Sequence, residues 1–228
     1  ALAMFLYFII GCCIGSFLCL VAQRLPQGHS IIYPRSHCVN CQHVLAWYEL
    51  VPLLSICYQR FRCRNCRSKL SPIYFIAECI GGCLSVWLFY FSQRPDGLLI
   101  FWFLSAFLLS LMDSFYLMIE GRTLYFIWFI LWMTWLIKGE FQWLSFAVLF
   151  LISFFLTRYG SEFLGLGDAL LLLSWSGGLT LNQLMQLLFL ASLLGLLFFF
   201  IFLSHDKKSK RVPFVPFLSV ALFLLHVW

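Results

Sequence analysis

Apolar runs long enough to cross a bilayer recur along almost the whole of this chain, and no other feature constrains its fold as much. With 63% hydrophobic and only 11% charged residues among 228, it carries more apolar side chain than a soluble core of that size can hide. Judged against about 20 residues per crossing, hydropathy marks eight candidate spans, near 2–22, 72–92, 98–119, 123–137, 141–157, 164–181, 183–203 and 212–228. Hydrocarbon offers no hydrogen-bond partner to an open backbone, so such spans are helices. The expected fold class is all-α, a polytopic membrane helix bundle with about eight transmembrane helices. The opening apolar run lacks a basic n-region, and no small-residue cleavage site precedes Gln23-Arg24, so it reads as a retained first helix rather than a signal peptide.

Net charge is +6, but its placement points to topology rather than to nucleic acid, which is not an expected partner. The segment 23–71 carries Arg24, Arg35, Arg60, Arg62, Arg64, Arg67 and Lys69, which should hold it in the cytoplasm. Eight crossings then bring Arg122, Arg158 and the Lys207-Lys208-Ser209-Lys210-Arg211 run to the same side. Of the fifteen basic residues only Arg94 and Lys138 fall outside, and both termini are external. Three parts are expected: a first transmembrane helix, 1–22; a cytoplasmic segment, 23–71; and a transmembrane bundle, 72–228. No internal repeat is expected. About fifty residues is short for an independent core, so the polar segment needs a staple.

Cys38-Val39-Asn40-Cys41 and Cys63-Arg64-Asn65-Cys66 supply one. Two Cys-x-x-Cys knuckles separated by 21 residues can wrap a tetrahedral zinc, whose binding contributes folding free energy. A reducing compartment disfavours disulfides there. Four thiolates close the coordination shell, so the zinc is expected to be structural; His37 and His43 lie close enough in sequence to replace a cysteine. The other cysteines, at 12, 13, 19, 57, 79 and 83, read as small buried hydrophobes.

Of nine carboxylates, Glu49, Asp96, Glu120, Glu140, Glu162 and Asp206 fall in loops or at helix ends. Glu78, Asp113 and Asp168 remain at membrane depth, where a carboxylate costs about 2.5–3.5 kcal/mol on insertion scales and marks function by default. Asp113 should end the third span and Asp168 should begin the sixth, after a Gly165-Leu166-Gly167 turn. Two carboxylates at one membrane edge suit aspartic proteolysis, one activating water and the other polarising the peptide carbonyl. A buried pair linking helices, or one side of an ion pathway, fits the spacing as well. Gly165 and Gly167 would let the backbone leave helical geometry and let a substrate strand approach. Glu78 reads as a structural hydrogen-bond acceptor or a pocket-lining group.

Together these residues resemble the type IV prepilin peptidases of bacteria (prepilin leader peptidase/N-methyltransferase). The resemblance begins with Gly15-Ser16-Phe17-Leu18 and Arg24-Leu25-Pro26. It continues through Ser36 to Cys41, Pro52-Leu53-Leu54-Ser55, Arg62 to Cys66 and Ser71-Pro72 to Glu78. Asp113 and the Gly165-Leu166-Gly167-Asp168 turn match the family's two catalytic aspartates. The small size and the Pro213-Phe214-Val215-Pro216-Phe217 tail look most like the competence-type peptidases of Gram-positive cocci. The resemblance implies a multi-pass protein of the bacterial plasma membrane that removes the short basic leader from prepilin or pseudopilin precursors, usually after a Gly, at the cytoplasmic face. Many members then methylate the new N-terminus with S-adenosylmethionine. Two positions depart from the family: Glu120-Gly121 stands where it usually has Pro-Asp, and Leu170 where it often has Lys. Both leave the catalytic pair intact, whereas no Gly-rich nucleotide loop marks a methyl-donor site.

The rival reading is an ion- or metal-coupled transporter using Glu78, Asp113 and Asp168. Transporter sites usually lie near the bilayer midplane between repeated halves, whereas these acids sit toward one edge. A membrane scaffold whose zinc knuckle recruits a partner leaves both aspartates unexplained.

Overall fold

The computed structural model describes residues 2–91, 96–159, 165–203 and 212–227. Arg94, Glu162, Asp206 and the basic run 207–211 lie outside the described residues. Among those described no β-strand forms; helices and two isolated bridges account for the regular structure. The chain divides into two compact units, Ala1–Ile100 and Phe101–Trp228.

The first unit is organised by one helix pair. α1 (Leu2–Arg24) packs along α3 (Pro72–Val86), which a π-helical turn, Trp87–Phe91, extends. Small residues fall four apart on both faces: Gly11 and Gly15 on α1, Ala77, Gly81 and Ser85 on α3. The backbones consequently almost touch. A Cβ at Gly11 would lie 2.3 Å from the Gly81 carbonyl oxygen, and one at Gly15 would lie 2.6 Å from that of Ala77. In lipid, where apolar side chains gain little from leaving their solvent, such close approach is a main source of helix association. The pairing of 11 with 81 and 15 with 77 makes the helices antiparallel. Gln23 Nε2 donates to the Tyr74 hydroxyl at 2.5 Å, tying the two helix ends that flank the polar segment. Within that segment lie a 3₁₀ turn, Trp47–Leu50, and the short α2 (Leu54–Tyr58).

The second unit comprises most of α4 (Gly97–Tyr116), then α5 (Gly121–Lys138), α6 (Trp143–Tyr159), α7 (Leu166–Ser176), α8 (Leu181–Phe198) and α9 (Val215–Val227). Glu120 caps α5, its carboxylate accepting the Thr123 backbone N–H at 2.7 Å. Thr180 and Gln183 form a reciprocal box at the start of α8. α7 packs on α5 and α6, and α8 packs on α9. The end of α7 is shaped by aromatic rings: a Cβ at Gly178 would lie 2.2 Å from the Trp135 ring, and one at Gly177 2.6 Å from Phe141. Large apolar residues such as Phe126 and Phe129 on α5 and Phe189 on α8 face outward, as in a lipid-facing bundle.

The molecule is thus a multi-pass membrane helix bundle. Each of the eight expected spans holds an apolar helix, but length separates them. Among the described residues four are long and apolar enough to cross a bilayer: Leu2–Arg24, Pro72–Phe91, Gly97–Tyr116 and Leu181–Ile201. The expected span 164–181 is helical only over Leu166–Ser176; at about 1.5 Å per residue it falls well short of a roughly 30 Å hydrocarbon core. Gly177 and Gly178, poor helix formers, follow its last residue, and their lack of a side chain lets the Trp135 and Phe141 rings close over that end.

The α1–α3 crossing gives a direct test. Gly15→Leu should destabilise the protein by about 1–3 kcal/mol through overpacking, measured by denaturation in mixed micelles. Gly97→Ala, where an added Cβ meets nothing within 4 Å, should leave the unfolding midpoint almost unchanged.

Candidate active site and metal centre

The polar segment is built from one local design used twice. Cys38 N–H donates to His43 O at 2.9 Å, and Cys63 N–H donates to Ser68 O at 2.9 Å. Gln42 N–H then returns to Cys38 O, and Arg67 N–H to Cys63 O, both at 2.9 Å. Gln42 and Arg67 share a left-handed φ of 56°, and the bridges His37↔Val44 and Arg62↔Lys69 close the two loops. The expectation of no internal repeat therefore fails at this scale. The signal was the repeated Cys-x-Asn-Cys, which tertiary pairing turns into a pseudo-symmetric couple.

The two knuckles face each other. All four Sγ atoms, of Cys38, Cys41, Cys63 and Cys66, lie within 4.8 Å of one another. Cys38 and Cys66 are 3.8 Å apart, and Cys41 and Cys63 are 4.0 Å apart. A tetrahedral zinc with Zn–S bonds of about 2.3 Å needs S–S edges of about 3.8 Å, so the four sulfurs fit the ion. Asn40 Nδ2 donates to Cys66 Sγ at 3.9 Å, and Asn65 Nδ2 to Cys41 Sγ at 3.6 Å, so each knuckle supports a sulfur of the other. The Ser68 hydroxyl, 3.1 Å from Cys66 Sγ, helps draw that thiol down to about 6, and the backbone N–H of Cys41 lowers Cys38. Both shifts favour the thiolates a metal requires, whereas Cys63, despite the Cys66 backbone N–H, is pushed up to about 11 by burial and the neighbouring Cys38 and Cys66 sulfurs. His37 is occupied elsewhere, its Nδ1 2.9 Å from Arg35 O.

Glu78, on α3, is buried, and its Oε2 accepts the Leu53 N–H at 2.7 Å. The Ser16 hydroxyl on α1 is a second partner. Leu53 has a left-handed φ of 61°, costly for a leucine, and this bond helps hold it there. Glu78 therefore joins α1, α3 and the polar segment.

In the second unit Asp113 sits in the last turn of α4 and is buried. Its Oδ2 accepts the Val215 N–H at 3.0 Å, from the first residue of α9. The start of a helix has unsatisfied N–H groups and positive dipole, so a carboxylate belongs there. Pro213 and Pro216 bracket this helix start and are its local signal, but nothing along the chain joins it to Asp113. Ser110, one turn before Asp113, donates to Ser219 Oγ at 2.6 Å and ties α4 further to α9. Asp168, half-buried in the first turn of α7, lies within electrostatic range of Asp113. Among the described residues no hydrogen-bond donor engages its carboxylate.

Gly165 and Gly167 lie at the start of α7, where the backbone leaves helical geometry at Gly165. Neither has positive φ; Gly165, at φ −61° and ψ 135°, is the N-cap of α7. Close approach explains Gly165 better: a Cβ there would lie 3.3 Å from Asp168 Oδ2. Glu120 is committed to its cap and an ion pair with Arg122 at 3.3 Å. Burial opposes its charge, but the bonds from Thr123 and the Arg122 charge hold it below the usual carboxylate range. The remaining cysteines divide. Cys12 and Cys19 are buried as expected and Cys79 is partly so, whereas Cys13, Cys57 and Cys83 are exposed, Cys13 and Cys83 on outward faces of α1 and α3.

Residues 9–92 match the bacterial peptidase A24 N-terminal domain, a stretch that contains all four cysteines and Glu78. The chain is 50% identical over 82 residues to a prepilin leader peptidase/N-methyltransferase of Myxococcus xanthus (strain DK1622), covering 36% of this chain and 24% of that protein. A protein of the same name from Bacillus subtilis (strain 168) is 40% identical over 77 residues, 34% of this chain and 31% of the relative. Similarity to another from Aeromonas salmonicida (strain A449) is lower but longer, 28% over 265 aligned positions, covering 98% of this chain and 90% of the relative. No solved structure matches. Residues 9–92 therefore carry a bacterial peptidase A24 N-terminal domain, and nearly the whole chain is similar to proteins named prepilin leader peptidase/N-methyltransferase.

The cysteine geometry yields an expected metal content of about one zinc per chain, measured by elemental analysis of reduced protein. Cys41→Ser or Cys66→Ser should lower that content and open segment 23–71 to limited proteolysis, as should strong chelation. Protein without zinc, or a segment that stays equally resistant after chelation, would remove the metal from the fold.

Proposed function

We propose that this chain is a membrane-embedded aspartic endopeptidase that removes the short basic leader of prepilin-like precursors, competence pseudopilins among them. The observation that carries the reading is that Asp168, in the first turn of α7, lies within electrostatic range of Asp113, in the last turn of α4. One carboxylate takes a proton from water as its oxygen bonds to the scissile carbonyl carbon. The other gives a proton to the carbonyl oxygen. Collapse of the tetrahedral species breaks the C–N bond, and the departing nitrogen takes a proton. Asp113, fixed by the Val215 N–H, suits a positioned partner, and the less engaged Asp168 suits contact with water.

In this reading 72–228 forms the peptidase bundle, and the zinc-bound segment 23–71 stands on the cytoplasmic side of the plasma membrane, where leaders are presented. The zinc is structural: Cys38, Cys41, Cys63 and Cys66 complete its shell, so it supplies rigidity and no water for catalysis. Gly165 leaves room for the Asp168 carboxylate, and Glu78 supports the segment's attachment rather than the chemistry. That engagement of Glu78 gives no support to an ion pathway through it.

The relatives' name adds N-methylation, for which S-adenosylmethionine would be the donor. The groove between α8 and α9, lined by Gln186, Phe189, Leu190, Leu224 and Leu225, offers no charged side chain suited to that molecule, and no step is assigned to it.

Asp113→Asn and Asp168→Asn should each reduce precursor cleavage by about 10²–10⁴-fold or more, with membrane insertion and zinc content unchanged. Purified protein reconstituted in lipid, incubated with a prepilin precursor and followed by mass spectrometry, checks this. Near-normal cleavage by either variant would remove that residue from the mechanism. The same spectra would show whether the new N-terminus gains a methyl group when the donor is supplied.

A further inference from the structure

One apolar, basic surface of the first unit has no role in the chemistry proposed above. α2 buries Ser55 and Ile56 but turns Leu54 and Tyr58, one helical turn apart, outward; they are 70% and 90% exposed. The chain then reverses through consecutive left-handed residues, Arg60 and Phe61, at φ 51° and 56°. Arg60 and Arg62 are exposed beside the apolar pair. No acid offsets them locally, for the single carboxylate of 23–71, Glu49, is buried and accepts the Ala46 N–H at 2.9 Å.

The depth of this surface follows from two contacts with α3. Leu53 N–H bonds Glu78 at 2.7 Å, and the Phe61 ring meets the Phe75 ring edge-on at 5.6 Å. Phe75 and Glu78 lie about 4–9 Å along α3 from Pro72, at about 1.5 Å per residue. The Pro72–Phe91 helix has 20 residues, close to the minimum for a roughly 30 Å core, so its first two turns cannot stand far outside the lipid. Both ends of 53–61 are therefore braced at the depth of the headgroup and outer acyl layer.

We propose that residues 53–62 are an interfacial anchor, with Leu54, Tyr58 and Phe61 at the acyl boundary and Arg60 and Arg62 on the phosphates of anionic lipid. The arginines favour that occupant by charge, and apolar and aromatic side chains at this depth favour it by solvation. A basic leader peptide is repelled by the same arginines. The anchor would hold the second cysteine knuckle, which begins at the next residue, Cys63, at a set height above the membrane. It rests on the membrane reading of α3 and not on the peptidase reading.

Hydrogen exchange of the full chain in nanodiscs tests this. Peptides covering 54–62 should exchange several-fold more slowly in phosphatidylcholine–phosphatidylglycerol discs than in phosphatidylcholine alone. The difference should shrink at high salt and vanish in an Arg60→Gln, Arg62→Gln protein that keeps its zinc. Leu54→Ser with Tyr58→Ser should speed exchange in both lipids. Equal exchange of the parent protein in the two discs would overturn the proposal, as would protection that survives the arginine changes. Protection arising only when a prepilin precursor is added would assign the surface to the substrate instead. Cleavage activity is read separately, so loss of the anchor and failure of the peptidase reading remain distinguishable.

Discussion

A carboxylate in or beside hydrocarbon must find hydrogen-bond donors, and much of this structure is arranged around that requirement. Glu78 takes the Leu53 N–H at the start of α2, and Asp113 takes the Val215 N–H at the start of α9. Glu120 does the same for its own helix through Thr123. In each case two problems cancel: a helix start has N–H groups with no partner, and an acid has lone pairs that lipid leaves unmet. These bonds decide where chain segments distant in sequence meet. Asp168 departs from the pattern: among the described residues no donor engages its carboxylate.

The extramembrane segment solves a different problem. It is too short to build an apolar core, yet it presents several exposed apolar side chains. Its order comes instead from two matched knuckles whose asparagines reach across to each other's cysteines. The Arg64 guanidinium adds a link to the 3₁₀ turn by lying over the Tyr48 ring, 5.4 Å from its centroid. Glu78 then fastens this assembly to the α1–α3 pair, whose small residues allow the two backbones to meet. Cysteine cluster, polar bridge and close helix packing form one continuous support within the first unit.

The sequence alone determined the class of molecule, the order of its apolar helices and the pairing of two Cys-x-x-Cys knuckles, because these follow from composition, run length and spacing. Cys-x-x-Cys twice is legible as a metal site without coordinates, since four thiols at that spacing have few other uses. An acid inside an apolar run is legible for the same reason. Tertiary structure alone decided which groups meet. No local signal joins Asp113 to Val215, or Glu78 to Leu53 and Ser16, because those pairs are set by helix packing rather than by neighbours along the chain. At the end of α7 the Gly177-Gly178 pair is visible in the sequence, but the Trp135 and Phe141 rings that close over it are not, because hydropathy cannot register a ring arriving from elsewhere in the chain.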